Sequence, residues 1–162
     1  MQIVYAQEPL EKSIFLAGPT PQVDGVPSWR KAAVAYLESA CFDGRVFTPE
    51  PSEGRLDLSQ ADRQIAWEWE ALNQATVVVF WVPRELATMP AFTTNVEFGL
   101  FADSSKVLLG FPDTAVKIRY LHRLARRYSI PVFPSLESML DAAVAMTRNP
   151  YPIGEDEPDW PL

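Results

Sequence analysis

The stretch VVVFWV at 77–82 decides the fold. Six apolar residues run without a break, four of them β-branched and two aromatic, and Pro83 ends the run. Such a run is too short for a buried helix, and it lacks the alternation of a half-exposed strand. It reads as a strand covered on both faces. On its N-terminal side, SIFLA at 13–17 has the same character and stops at Gly18-Pro19. A proline-rich loop follows at 19–27, and Ser28 is a good N-cap for a helix over 29–40. RVFT at 45–48 reads as a strand closed by Pro49 and Pro51. After a polar loop, Ser59 or Asp62 opens a helix to about residue 75. In it, Ile65, Trp69 and Leu72 recur at helical spacing and are expected to form the buried stripe. On the C-terminal side the spacing predicts a helix over 94–103, a strand KVLLG at 106–110, a helix over 115–128, a strand at 131–133 and a helix over 135–147.

Five strands, each followed by a helix, predict a flavodoxin-like α/β sandwich of three layers. Its five-stranded parallel sheet should have the order 2-1-3-4-5. One domain over 1–150 accounts for the pattern, and residues 151–162 form a proline-rich, acidic tail. The chain of 162 residues is long enough to bury a core, and its net charge is -7. That charge speaks against nucleic acid polymers as partners, because a phosphate backbone needs a basic footprint. No apolar run approaches the length of a membrane span, and MQIVYAQEPLEKS is not built as a secretory signal. A soluble, cytoplasmic protein without a membrane partner is therefore expected. With one cysteine, Cys41, and one histidine, His122, no metal site is expected. Neither GxGxxG nor a P-loop lysine motif occurs, so no dinucleotide or ATP cofactor is expected.

In parallel sheets of this order, ligands bind beyond the carboxyl ends of the strands, near the switch point between strands one and three. Four loops meet there. The first offers Gly18, Pro19 and Thr20, with Trp29 and Arg30 at the next helix start. The second offers Glu50, then Gln64, Trp67 and Glu68. Gln64 and Glu68, four apart, share a helix face beside the expected stripe. The third offers Arg84, then Thr93, Thr94, Asn95 and Glu97. Two readings of Glu97 are open. With Thr94 three residues earlier it fits a capping box, a purely structural role. At a helix N-terminus on the sheet's carboxyl edge, it also fits a carboxylate kept ionised by the helix dipole and used as a nucleophile. Arg84 reads as an anion ligand or a solvated loop residue, and Arg30 as a ligand or a surface residue of the first helix. Trp29, Trp67 and Trp81 could stack on a ligand or fill the core. His122, among Arg119, Arg123, Arg126 and Arg127, reads as part of a basic surface, and Cys41 as a partly buried spectator.

The runs SIFLAGPTP, QIAWEWEALNQATVVVFWVPRE and FTTNVEFG together resemble the nucleoside 2-deoxyribosyltransferases and their nucleotide N-glycosidase relatives. The resemblance spans about 13–146. It rests on a Gly-Pro turn after strand one, an acidic residue on helix two, and a Glu after a small-residue turn ahead of a glycine. It implies that Glu97 attacks the anomeric carbon of a sugar and that the nucleobase is contacted by Glu68, the best match, with Glu70 a nearby competitor. It further implies a small nucleoside or nucleotide as substrate, no cofactor, and a homo-oligomer whose sites a neighbour completes. Two positions depart from the pattern. Ala91 stands where the transferases carry an Asp and the hydrolases a Ser, and Phe15 or Leu16 stands for an early-strand Tyr. The resemblance thus bears on cleavage at the anomeric carbon, not on the sugar's 5′ end, its 2′ position or the acceptor. A rival expectation is a non-catalytic nucleotide- or nucleotide-sugar-binding module of the same fold. A third is a structural subunit, suggested by the Pro/Trp-rich tail alone.

Overall fold

The computed structural model describes residues 11–51 and 58–148. The expected tail at 151–162 lies outside the described residues. Strand β1 (Ser13–Ala17) leads to helix α1 (Trp29–Ser39) and strand β2 (Arg45–Phe47). A short 3-10 turn (Leu58–Gln60) runs into α2 (Ala61–Gln74), and β3 is Val77–Trp81. Then come α3 (Phe92–Phe101), β4 (Val107–Gly110), α4 (Arg119–Arg127), β5 (Val132–Phe133) and α5 (Leu136–Arg148). The five strands form one parallel sheet in the order β2-β1-β3-β4-β5. This is the flavodoxin-like sandwich.

The alternation of side chains along β1 and β3 builds two cores. Phe15, Ala17, Val78 and Phe80 face α2, α3 and α4, meeting Leu72, Phe98 and Leu121. Ile14, Leu16, Val77, Val79 and Trp81 face α1 and α5, meeting Leu37, Met139 and Leu140. With both faces covered, every residue of VVVFWV is buried. Lys106 Nζ donates to the carbonyls of Leu72, Asn73 and Ala75, closing the C-terminal end of α2 where cations are favoured. Among the described residues no helix is long and apolar enough to cross a membrane.

Three local expectations need correction. The stripe Ile65–Trp69–Leu72 is not the buried one. Ile65 and Trp69 face outward, and Leu72 is buried with Ala71. Gln64 and Glu68 point inward instead of flanking the stripe. Glu68 lines a cleft rather than packing into the core, and Gln64 bonds to it and to the Pro49 carbonyl. The helix expected from residue 115 starts at Arg119, because Lys117 has a left-handed backbone (φ 55) and the chain before it is tied to the loop after β3 by a Val116 N–H to Arg84 carbonyl bond. Cys41 is exposed, not partly buried.

Candidate active site

A cleft of about 570 Å³ opens at the carboxyl edge of β1 and β3, within the range of small-ligand sites. Phe15, Ala17, Gly18, Pro19 and Thr20 form its floor and one wall; Glu68 of α2 and Ala91, Phe92, Thr93 and Glu97 around the start of α3 form the other. Gly18 permits the close approach of these walls. Its φ is +141°, and a Cβ there would sit 2.1 Å from the Trp81 carbonyl oxygen. No other residue fits that turn without moving β3.

The two readings of Glu97 part here. Helix α3 begins at Phe92, two residues before the expected start, and Ala91 in the left-handed conformation (φ 61) stands at its N-cap with no side-chain cap. Thr94 therefore lies inside the first turn, buried, and no bond joins it to Glu97. The capping box does not form. Glu97 sits one turn further on and faces the cleft. The helix dipole, which fades beyond the first turn, does not hold it ionised as expected. Burial pushes the Glu97 carboxyl up to about 7, the nearby Glu68 charge adds to the rise, and Arg30 partly offsets it. Glu68 is oriented in turn: Gln64 Nε2 donates to its Oε1 at 2.7 Å and to the Pro49 carbonyl at 2.9 Å.

Arg30 is no surface residue. It is 2% exposed and holds the cleft's first wall in place. Its guanidinium donates to the carbonyls of Leu16 (2.9 Å), Gly18 (2.6 Å) and Pro19 (3.3 Å), to Thr20 Oγ1 (3.1 Å) and to Glu50 Oε1 (2.7 Å). Burial lowers its pKa, and Glu50 is the main influence opposing that. Ser28 joins the network by accepting from the Arg30 N–H as N-cap and donating to Glu50. The sequence leaves Arg30 and Glu50 open between a role in the site and a place on the surface. A signal existed, for Arg30, Ala33 and Leu37 share the buried helical stripe of α1.

The other residues singled out from the sequence divide. Gly18, Pro19, Glu68, Thr93 and Glu97 line the cleft. Arg84 and Asn95 do not; they bind each other, and Arg84 Nη1 also donates to the Lys117 carbonyl at 2.9 Å. Arg84 is buried, so it is not a solvated loop residue, and its Nε has no partner among the described residues. Trp67 lies over Phe15 and Phe47, its ring centroid 6.3 Å and 6.5 Å from theirs, half out of the fold beside the cleft. Trp29 and Trp81 are core residues, with Trp29 Nε1 bonded to the Pro19 carbonyl. His122 lies exposed against Phe111.

The family model described as "Nucleoside 2-deoxyribosyltransferase like" matches residues 11–115, which include every residue lining this cleft. The chain belongs to the nucleoside 2-deoxyribosyltransferase-like family. No curated protein matches it closely enough to supply a relative.

Proposed function

We propose that the protein cleaves or transfers the N-glycosidic bond of a nucleoside or nucleotide through a covalent glycosyl-Glu97 intermediate. The observation that carries this reading is the pairing of two carboxylates, Glu97 and Glu68, in one cleft, close enough that the Glu68 charge acts on Glu97. Burial lets Glu97 keep its proton up to about pH 7. Substrate binding moves that proton to Glu68, which faces the base and is steered by Gln64. The ionised Glu97 then attacks the anomeric carbon. The carbon–nitrogen bond breaks through an oxocarbenium-like transition state, and the departing nitrogen takes the proton from Glu68. Water or a second base displaces Glu97 in the next step, and Glu68 accepts the incoming group's proton. This is the logic of retaining glycosidases. Thr93 and the uncapped backbone N–H groups at the start of α3 would hold sugar hydroxyls or a phosphate, and Trp67 would flank the base.

Two expected results follow. The kcat/KM should fall as pH rises through about 7, because Glu97 then loses the proton that the reaction passes to the base. Glu68→Gln should lower kcat by about 10²-fold, the low end for acid–base assistance. It should also remove that basic limb, since no carboxyl then stands at 68 to receive the Glu97 proton and pass it to the base, although burial still holds Glu97 above its ordinary value. A pH–rate series on both proteins checks this. The primary test is incubation with a panel of nucleosides and nucleotides, with chromatography of the released base. The cleft contains one feature that favours a non-catalytic binding module, namely the bare methyl of Ala91 at the start of α3. Tight binding of a panel member with no base released would select that alternative.

A further inference from the structure

Gln22 lines the cleft, and the proposed reaction gives it no role. Among the described residues its side-chain amide has no hydrogen-bond partner, while its backbone N–H donates to the Thr88 carbonyl at 2.9 Å. That bond ties the loop after β1 to the loop after β3, the two segments that lead into opposite walls of the cleft.

The turn that offers the Thr88 carbonyl is fixed from within and from behind. Glu85 Oε2 accepts from the backbone N–H groups of Ala87 (3.0 Å) and Thr88 (2.8 Å) and from the Thr88 hydroxyl (2.9 Å). The Met89 N–H donates to the Glu85 carbonyl at 2.7 Å. These donors, the Ala87 N–H first and Thr88 next, hold the Glu85 carboxyl below its ordinary pKa, because they bond the ionised form. One residue earlier, buried Arg84 anchors the root of the turn through Asn95 of α3 and the Lys117 carbonyl. Its own carbonyl accepts from the Val116 N–H at 3.2 Å. Arg84 and Asn95, which do not line the cleft, thus brace the turn that holds Gln22.

The chain leaving this turn runs through Ala91 into Phe92 and Thr93, on the side of the cleft assigned to the sugar. Glu68, Gln64 and Trp67 stand on the side of the base. Gln22 is tied to the sugar's side, where Ala91 supplies only a methyl group. Arg30, the one cation among the described lining residues, is already engaged by Glu50 and three carbonyls. A side-chain amide offers both hydrogens and lone pairs, which suits a hydroxyl group. We infer, resting on the proposed reading of the cleft, that Gln22 hydrogen-bonds a hydroxyl of the substrate's sugar. Glu85 is its positioning residue, acting through the Thr88 carbonyl to set the loop that carries Gln22.

Calorimetric titration of the full chain tests this. The probes are ribo- and 2′-deoxyribonucleosides, their 5′-monophosphates, and deoxy analogues of the tightest nucleoside, each lacking one sugar hydroxyl. At least one nucleoside should bind, and Gln22→Ala should raise its Kd about 10-fold, the scale of one or two neutral hydrogen bonds. For the analogue without the hydroxyl that Gln22 holds, the same substitution should leave Kd unchanged. Glu85→Ala should raise Kd by a similar factor in the wild type, but by less than about twofold in the Gln22→Ala background, because its effect passes through Gln22. Glu85→Gln, whose amide oxygen still accepts from Thr88, should recover part of the loss. Gln22 and Glu85 are both exposed, and circular dichroism confirms that each variant is folded. Binding of 5′-monophosphates alone, a Gln22→Ala loss that persists with every analogue, no loss at all, or additive losses with Glu85→Ala would each overturn the inference. Base release is scored separately. A nucleoside bound in this way and never cleaved defeats the proposed reaction and leaves Gln22 its role. Cleavage with an affinity that Gln22→Ala does not change defeats the role and leaves the reaction.

Discussion

Glu97→Gln should abolish cleavage and, at pH 8, make the protein more stable. Glutamine keeps the shape of the side chain but cannot bond covalently to the anomeric carbon, so a loss of at least about 10³-fold in kcat is expected. The stability gain follows from linkage. In the fold the Glu97 carboxyl titrates at about 7 against an ordinary 4.5. Between those values the folded state holds a proton that the unfolded chain has released, so stability declines as pH rises across that window. The decline is absent below about pH 4.5 and complete above about pH 7. It amounts to roughly 3 kcal/mol at most, at about 1.4 kcal/mol per unit. Glutamine carries no charge to desolvate, and its stability should not decline across that range. Melting curves at pH 5 and pH 8 should therefore diverge for the wild type and less so for the variant. A capping role predicts the reverse: a loss of about 1 kcal/mol at both pH values with turnover per folded molecule intact.

Arg30→Met should cost about 3–5 kcal/mol, the range for breaking a buried ion pair from one side. Methionine fills much of the space but donates no hydrogen bond. The Glu50 carboxylate would keep only the Ser28 hydroxyl, and Gly18 and Leu16 would lose the guanidinium that their carbonyls face. In a domain of this size that loss corresponds to a fall in Tm of about 10 °C, at roughly 2–4 °C per kcal/mol. Arg30→Lys should recover part of it, since an ammonium can reach Glu50 but cannot span three carbonyls in one plane. Replacing Glu50 by Leu in the Arg30→Met background should cost less than the two single changes combined, because the orphaned charge is gone. Urea unfolding of these variants beside the wild type measures this. A loss under 1 kcal/mol for Arg30→Met would mean that the network merely decorates the wall it spans.

The fold was legible because its signals are local. VVVFWV and SIFLA are doubly covered strands, and Ser28 caps α1 by its own side chain. The site was legible only in part. The motif TTNVEFG fits a capping box letter by letter, and what prevents one is the left-handed turn at Ala91, which an alanine does not announce. Ile65 and Trp69 follow helical spacing, yet that pattern cannot tell a core-facing stripe from one left for another surface. Arg30 sits on the inward stripe with Ala33 and Leu37. The carbonyls that justify a buried cation there come from β1 and its loop, 11 to 14 residues away in sequence. Arg84 and Asn95 both follow β3, and they turned out to satisfy each other rather than the cleft.

The proposed reaction requires Glu97 to form a bond to the sugar. A 2′-fluoro-2′-deoxy nucleoside tests it most directly, because the fluorine destabilises the oxocarbenium-like state and slows release of the glycosyl-enzyme. Peptide mass spectrometry after a short incubation with a substrate from the active panel should find one sugar adduct per chain, on the peptide carrying Glu97. It should be absent from Glu97→Gln. An adduct on Glu68 or another residue, or base release in the Glu97→Gln protein at the wild-type rate, would contradict the account.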